Sequence, residues 1–223
     1  MASTTQSENS EAQKNRFSTK RLLLIGAAMA VLLVVGFVFV ESQVFPASST
    51  PPSATFDFDT GFPILVETHN TPLNQTANGI TALFSSPSDS FTPQFSIQSY
   101  ETTLTKLSLF SGKYLYDNKP SRDILEIKFS QPLNKVEFTF ATIEYKMGPS
   151  NIQLTAYSES ADTPPVGSAI SKGTVLNEMY PQGTLEFDSG GGKFNLLRIE
   201  VPQQGGTGTT NFFVDNIKVW TGQ

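Results

Sequence analysis

The chain has 223 residues, one histidine, no cysteine and a formal net charge of −5. Without cysteine there are no disulfides, no Cys-ligated zinc, no thiol catalysis and no lipid anchor on an N-terminal cysteine. The charge is uneven: residues 41–223 hold eleven Lys/Arg and eighteen Asp/Glu, a net of −7 (11 − 18), which argues against nucleic acid as a partner.

Residues 1–21 are rich in Ser, Thr, Gln and Asn and read as a disordered tail. The nineteen residues Leu22–Val40 carry no charged side chain and follow Lys14, Arg16, Lys20 and Arg21. Such a run at about 1.5 Å per residue crosses a hydrocarbon core of roughly 30 Å. The basic flank keeps the tail in the cytoplasm and delivers the remainder outside. The run is longer than a signal-peptide core and ends Val38-Phe39-Val40-Glu41, a poor cleavage context, so a retained single-pass anchor is expected and a cleaved signal is the alternative. Residues 41–53 form a Ser/Pro-rich linker with Pro46, Pro51 and Pro52, extended and semi-rigid.

Residues 54–223 suffice for one domain with a sizeable core. Their pattern has period two. Apolar side chains take every second position in Lys135–Ala141, at Ile152, Leu154 and Ala156, in Ile124–Phe129 and in Leu197–Val201. This is the mark of strands that bury one face and wet the other. Turn signals punctuate the runs: Asn78-Gly79, Ser111-Gly112, Gly148-Pro149, Pro164-Pro165, Gly190-Gly191-Gly192 and Gly205-Gly206. Eighteen Phe against one Trp suit a core interdigitated between two sheets. The expected fold is all-β: an antiparallel β-sandwich of about ten strands, a jelly roll, preceded by the transmembrane helix. The Gly190–Gly192 stretch reads as a hairpin connection, and Asn74-Gln75-Thr76, an N-glycosylation acceptor sequence, as part of a polar loop.

The domain opens Ala54-Thr55-Phe56-Asp57-Phe58-Asp59 and closes Phe212-Phe213-Val214-Asp215-Asn216-Ile217-Lys218-Val219. That pairing resembles jelly-roll carbohydrate-binding modules and galactose-binding-like domains. Together with Asn78–Ala82, Phe138–Ala141 and Leu154–Tyr157 it is also similar to sandwich domains of bacterial surface proteins that end in a Pro-Glu-Pro sorting tail. Here the last residues are Trp220-Thr221-Gly222-Gln223, so anchoring is expected from the N-terminal helix instead. The resemblance implies a non-enzymatic binding module for carbohydrate or a cell-surface glycan. It also implies a structural Ca²⁺ joining Asp57 or Asp59 of the first strand to Asp215 of the last, with hard oxygen ligands at about 2.3–2.6 Å. The alternative is that these carboxylates face solvent or bond local backbone amides.

Sugar recognition needs aromatic platforms beside polar groups. Tyr114, Tyr116 and Asn118, in Lys113-Tyr114-Leu115-Tyr116-Asp117-Asn118, are the leading candidates, with Tyr100, Tyr145, Tyr157, Tyr180 and Trp220 behind them. An ordinary strand and turn would give the same letters. No catalytic residue is expected: His69 stands in a polar stretch, nucleophile-elbow, zinc-helix and phosphate-loop motifs are missing, and the pairs Asp57/Asp59 and Glu186/Asp188 lack the context of a glycosidase. A structural or assembly subunit of the cell surface, self-associating through sheet edges, is the competing reading.

Overall fold

The computed structural model describes residues 50–60, 69–87, 89, 94–99, 103, 106–118, 124–143, 150–175, 179–202 and 211–222. The predicted anchor Leu22–Val40 lies outside them, and among the described residues no helix is long and apolar enough to cross a membrane.

The alternating runs fold as strands: β1 (Ala54–Phe56), β2 (His69–Asn70), β3 (Leu73–Ala77), β4 (Ile80–Ser85), β5 (Phe95–Gln98), β6 (Tyr114–Asp117), β7 (Leu125–Leu133), β8 (Lys135–Thr142), β9 (Asn151–Tyr157), β10 (Gly167–Lys172), β11 (Gln182–Asp188), β12 (Phe194–Glu200) and β13 (Phe212–Trp220). They exceed the expected ten because the shortest, β1 and β2, are too brief to show a period.

All pairings are antiparallel and build two sheets. One runs β11-β8-β13-β6-β5-β2, with β1 beside β13; the other runs β10-β9-β12-β7-β4-β3. The expected sandwich is thus present. Its core holds the predicted inward positions: Val136, Phe138 and Phe140 of β8 and Ile152, Leu154 and Ala156 of β9 are all fully buried. Each large apolar side chain removed from water contributes about 1.5–3 kcal/mol. Phenylalanines meet edge to face, Phe58 on Phe84 at 5.2 Å and Phe56 on Phe84 at 6.3 Å, the geometry that the ring quadrupole favours.

Several turn expectations change. Asn78-Gly79, with φ of 48° and 77°, does close the β3–β4 hairpin, as a tight turn of that kind requires. Gly190-Gly191 does not make a hairpin: β11 pairs with β8 and β12 with β7 and β9, so this stretch crosses from one sheet to the other. Asn74 lies on edge strand β3 rather than in a loop, and it is exposed. His69 belongs to the two-residue strand β2.

The domain begins and ends at one pole. Ala54 is opposite Val219, the Ser53 amide donates to the Val219 carbonyl at 2.7 Å, and the Thr221 amide donates to the Ser53 hydroxyl at 3.2 Å. Phe212, the other end of β13, lies opposite Thr142 at the far pole, about 26 Å away at 3.3 Å per residue.

Candidate functional site

Two strands of the seven-stranded sheet break the alternation. In Tyr114-Leu115-Tyr116 of β6 and Phe212-Phe213-Val214 of β13, no position is polar. A strand apolar on both faces has something on each. Leu115, Phe212 and Val214 face the sandwich core, whereas Tyr114 and Phe213 belong to a second buried cluster with Leu107, Phe110 and Ala141 on the outer face. Tyr116, Ile143 and Tyr180 pack half-buried against it.

Phe213 is the hub of this cluster. Tyr116 stacks on it at 4.8 Å and 30°, and Tyr180 at 5.7 Å and 26°; Tyr114 and Phe110 meet it edge-on at 5.4 and 6.3 Å. The Lys106 ammonium lies 5.5 Å from the Tyr180 ring centre. Polar groups border the rings. Ser96 is the cross-strand partner of Tyr116, and Gln98 of Tyr114. The Asn118 side-chain oxygen accepts from the Ser96 hydroxyl and the Gln98 side-chain nitrogen, each at 2.9 Å. Asn211 donates to the Tyr116 hydroxyl at 3.1 Å and the Asp117 carbonyl at 2.8 Å.

The predicted ligand residues therefore divide. Tyr114 is a correction: it has no exposed surface, because Phe110 and Phe213 close over its ring, so it is a packing residue. Tyr116 is half-buried at the border of the cluster and Asn118 is exposed beside it, so these two share one surface. Of the remaining aromatic candidates, Tyr157 lies on the other sheet, 5.9 Å from the Arg198 guanidinium, and Trp220 sits at the opposite pole under the Lys135 ammonium at 5.0 Å. Tyr100 and Tyr145 lie outside the described residues. The Lys135 ammonium pairs with Glu186 at 2.8 Å, and the Asp188 carboxylate accepts the Gly190 amide, a local turn contact.

Two of the three predicted carboxylates, Asp59 and Asp215, meet at the turn Ser111-Gly112-Lys113. Asp215 sits at a bulge in β13, where the register with β8 shifts between Asp215 and Lys218 and Asn216 takes a φ of 52°. Such a bulge re-aims a side chain. Asp215 is completely buried; its carboxylate accepts from the Asn216 amide at 2.7 Å, the Asn216 side chain at 3.0 Å and the Ser111 amide at 3.4 Å. Phe58 takes a φ of 57° with its ring in the core, turning the chain so that the exposed Asp59 reaches the same loop and accepts the Lys113 amide at 2.6 Å. Gly112 has a φ of 65°, and a Cβ there would overlap the Asp59 carboxylate. Asp57 is occupied locally: one oxygen takes the Asp59 and Thr60 amides and the Thr60 hydroxyl at 3.0–3.2 Å. Burial pushes the Asp215 carboxyl up to about 7, and the charges of Asp59 and Asp57 add to that; the Asn216 and Ser111 amides oppose it. Among the described residues no group of three or more His, Asp or Glu side chains converges as a metal-binding set.

Sequence reasoning missed Phe213 and Gln182; it had Tyr180 among the lesser aromatic candidates and Ser111-Gly112 as a turn, but not what either packs against or binds. The signal for Phe213 was present in the two adjacent phenylalanines, which require both faces of β13 to be covered.

No protein-family model and no curated protein matches the chain. Solved structures with a similar chain path do exist. A family 61 carbohydrate-binding module in complex with β-1,4-galactotriose is 8% identical at a TM-score of 0.38, covering 63% of this chain and 88% of that one. An adhesin domain of Lys-gingipain is 10% identical at 0.39, over 61% and 88%. The Agl-KA catalytic domain is 10% identical at 0.40, over 73% of this chain and 30% of that one.

Proposed function

We propose that this chain is a non-enzymatic binding module for a carbohydrate or cell-surface glycan, held outside the cell by the helix Leu22–Val40. The observation that carries the reading is the Tyr116–Phe213–Tyr180 stack bordered by Asn118, Gln98 and Asn211. A sugar presents C–H groups on one face and hydroxyls at its rim. Half-buried rings backed by another ring offer an apolar platform that is already rigid, and neighbouring amides and hydroxyls supply the directional bonds. The tyrosines and the amide border lie at the pole opposite Ser53, where the linker enters, which suits display away from a membrane.

A structural Ca²⁺ at the 111–113 turn belongs to the same proposal. Asp59 and Asp215 fit such an ion: both are hard oxygen donors aimed at one turn, and Asp215 is a buried carboxyl that a cation would hold ionised. Asp57 adds charge nearby. Backbone carbonyls and water would complete the coordination.

The test is a binding screen of residues 51–223, a compact unit by itself, against glycans and cell-wall polysaccharides, with Ca²⁺ and again with EDTA. Saturable binding abolished in Tyr116→Ala supports the reading; a folded fragment that binds none of them removes it. One observation favours a second reading, an assembly subunit of the cell surface: Ile170 on edge strand β10 is 60% exposed. Concentration-dependent association in sedimentation, lost in Ile170→Lys, would support that instead.

A further inference from the structure

The segment Lys106–Lys113 lies across the outer face of the seven-stranded sheet and contributes Leu107 and Phe110 to its aromatic cluster. It is tied at both ends by side chains that do not belong to it. Asp59 and Asp215 take the Lys113 and Ser111 amides at one end. At the other end stands Gln182, the first residue of β11, which is 2% exposed. Its side-chain oxygen accepts the Leu109 amide at 2.9 Å, and its nitrogen reaches the Lys106 carbonyl at 3.3 Å and the Tyr180 carbonyl at 3.4 Å. The Tyr180 amide donates to that same Lys106 carbonyl at 3.2 Å.

We propose that Gln182 is the positioning residue of the ligand face: its single amide group ties Lys106 to Tyr180 and so sets which ligands can stack there. The proposal rests on the carbohydrate reading above. Only a side chain with both an acceptor and two donors can serve these three backbone groups at once. Leucine would fill the volume and serve none. Glutamate would keep the acceptor for Leu109, but its carboxylate would face the Lys106 and Tyr180 carbonyls, where donors are needed. The backbone of Gln182 is held separately, its amide and carbonyl bridging to Thr174, so the strand survives a change of side chain.

The experiment uses the full-length chain, with short β-linked gluco-, galacto- and manno-oligosaccharides as probes. Hydrogen exchange is followed at the Leu109 and Tyr180 amides, with Ile127 and Leu154 as internal standards. In Gln182→Leu, exchange at Leu109 and Tyr180 is expected to speed up by about tenfold or more with Ile127 and Leu154 unchanged, and oligosaccharide affinity to fall by about tenfold or more. In Gln182→Glu, Leu109 is expected to stay protected while affinity still falls, a split that a merely structural role would not produce. Unchanged exchange at both amides in Gln182→Leu overturns the proposal without reference to any ligand. So does unaltered affinity and probe preference in both variants when the parent chain binds. A parent chain that binds no probe sinks the carbohydrate reading instead, and the exchange result then decides whether Gln182 fixes the segment. Should Gln182→Leu not fold, Gln182→Glu carries both measurements.

Discussion

Asp59 and Asp215, from opposite ends of the domain, hold one turn between them. Asp59 accepts the amide of Lys113 and Asp215 that of Ser111, with Gly112 in the middle. The pairing of β1 with β13 brings the two carboxylates near each other, and the turn completes the arrangement. Two acidic groups, one exposed and one fully buried, therefore share a small volume.

This arrangement makes the domain's stability depend on pH in an unusual direction. The Asp215 carboxyl titrates near 7 in the folded chain against 3.8 for an ordinary aspartate. Between these values the folded state holds a proton that the unfolded state has released, so stability falls as pH rises. The contribution is fully present below about 4 and lost by passage through 7, up to about 4 kcal/mol in all. Metal-free protein is expected to melt about 10 °C lower at pH 8 than at pH 5, and Asp215→Asn should flatten that slope. A melting temperature that rises from pH 5 to pH 8 would contradict it.

Ca²⁺ should act against the same penalty. At neutral pH a millimolar concentration is expected to raise the melting temperature by several degrees, in line with mass-action stabilisation of about 2–4 kcal/mol at a hundred to a thousand times the dissociation constant. Asp59→Asn and Asp215→Asn should each abolish the rise, whereas Asp57→Asn should weaken it only slightly because its engaged oxygen serves its own turn. Calorimetry with and without EDTA decides this, and equal melting in both overturns the cation proposal.

Glycine substitutions at two turns separate backbone strain from close approach. Both Gly79 and Gly112 have positive φ, but a Cβ at Gly79 meets nothing, whereas one at Gly112 overlaps the Asp59 carboxylate. Gly79→Ala is expected to cost about 1 kcal/mol and Gly112→Ala about 2–4 kcal/mol, read by urea unfolding. Equal costs would mean that the Asp59 contact carries no weight.

Tyr114 and Tyr116 are two residues apart and should behave as different kinds of residue. Tyr114→Ala empties a closed site and is expected to destabilise by about 3–5 kcal/mol. Tyr116→Ala removes a half-buried ring and should cost far less stability while abolishing glycan binding. Thermal melts and the binding screen, run on both variants, would expose a reversal.

The sandwich was legible because four of its long strands, β7, β8, β9 and β12, alternate over most of their length, and alternation reports burial directly. The site was legible only in part. Alternation cannot distinguish a solvated outer face from one roofed by a distant segment, which is why Tyr114 reads like a surface residue and is not. Ser111-Gly112 reads only as a turn and Gly190-Gly191 as a hairpin connection, since glycine reports only a local need for positive φ. What the turns connect depends on partners far along the chain: Asp59 and Asp215 for the first, two different sheets for the second. The role of Gln182 is invisible for the same reason, because three of its four side-chain contacts are made to backbone atoms that any residue would supply, the fourth being the Met179 sulfur at 3.9 Å.

Where the domain begins also governs how it bears force. A chain tethered at Ser53 and gripped at Tyr116 would be pulled along the length of β13, with β1 drawn toward the tether and β13 held from the far pole. Because β1 and β13 are antiparallel and the load would run along both, the ladder that sets Ala54, Thr55 and Phe56 opposite Val219, Lys218 and Ile217 would be sheared as a whole rather than unzipped in turn. Phe56 and Phe58 would have to leave the core in the same event. A short first strand would thereby resist such a pull with all of its pairings at once.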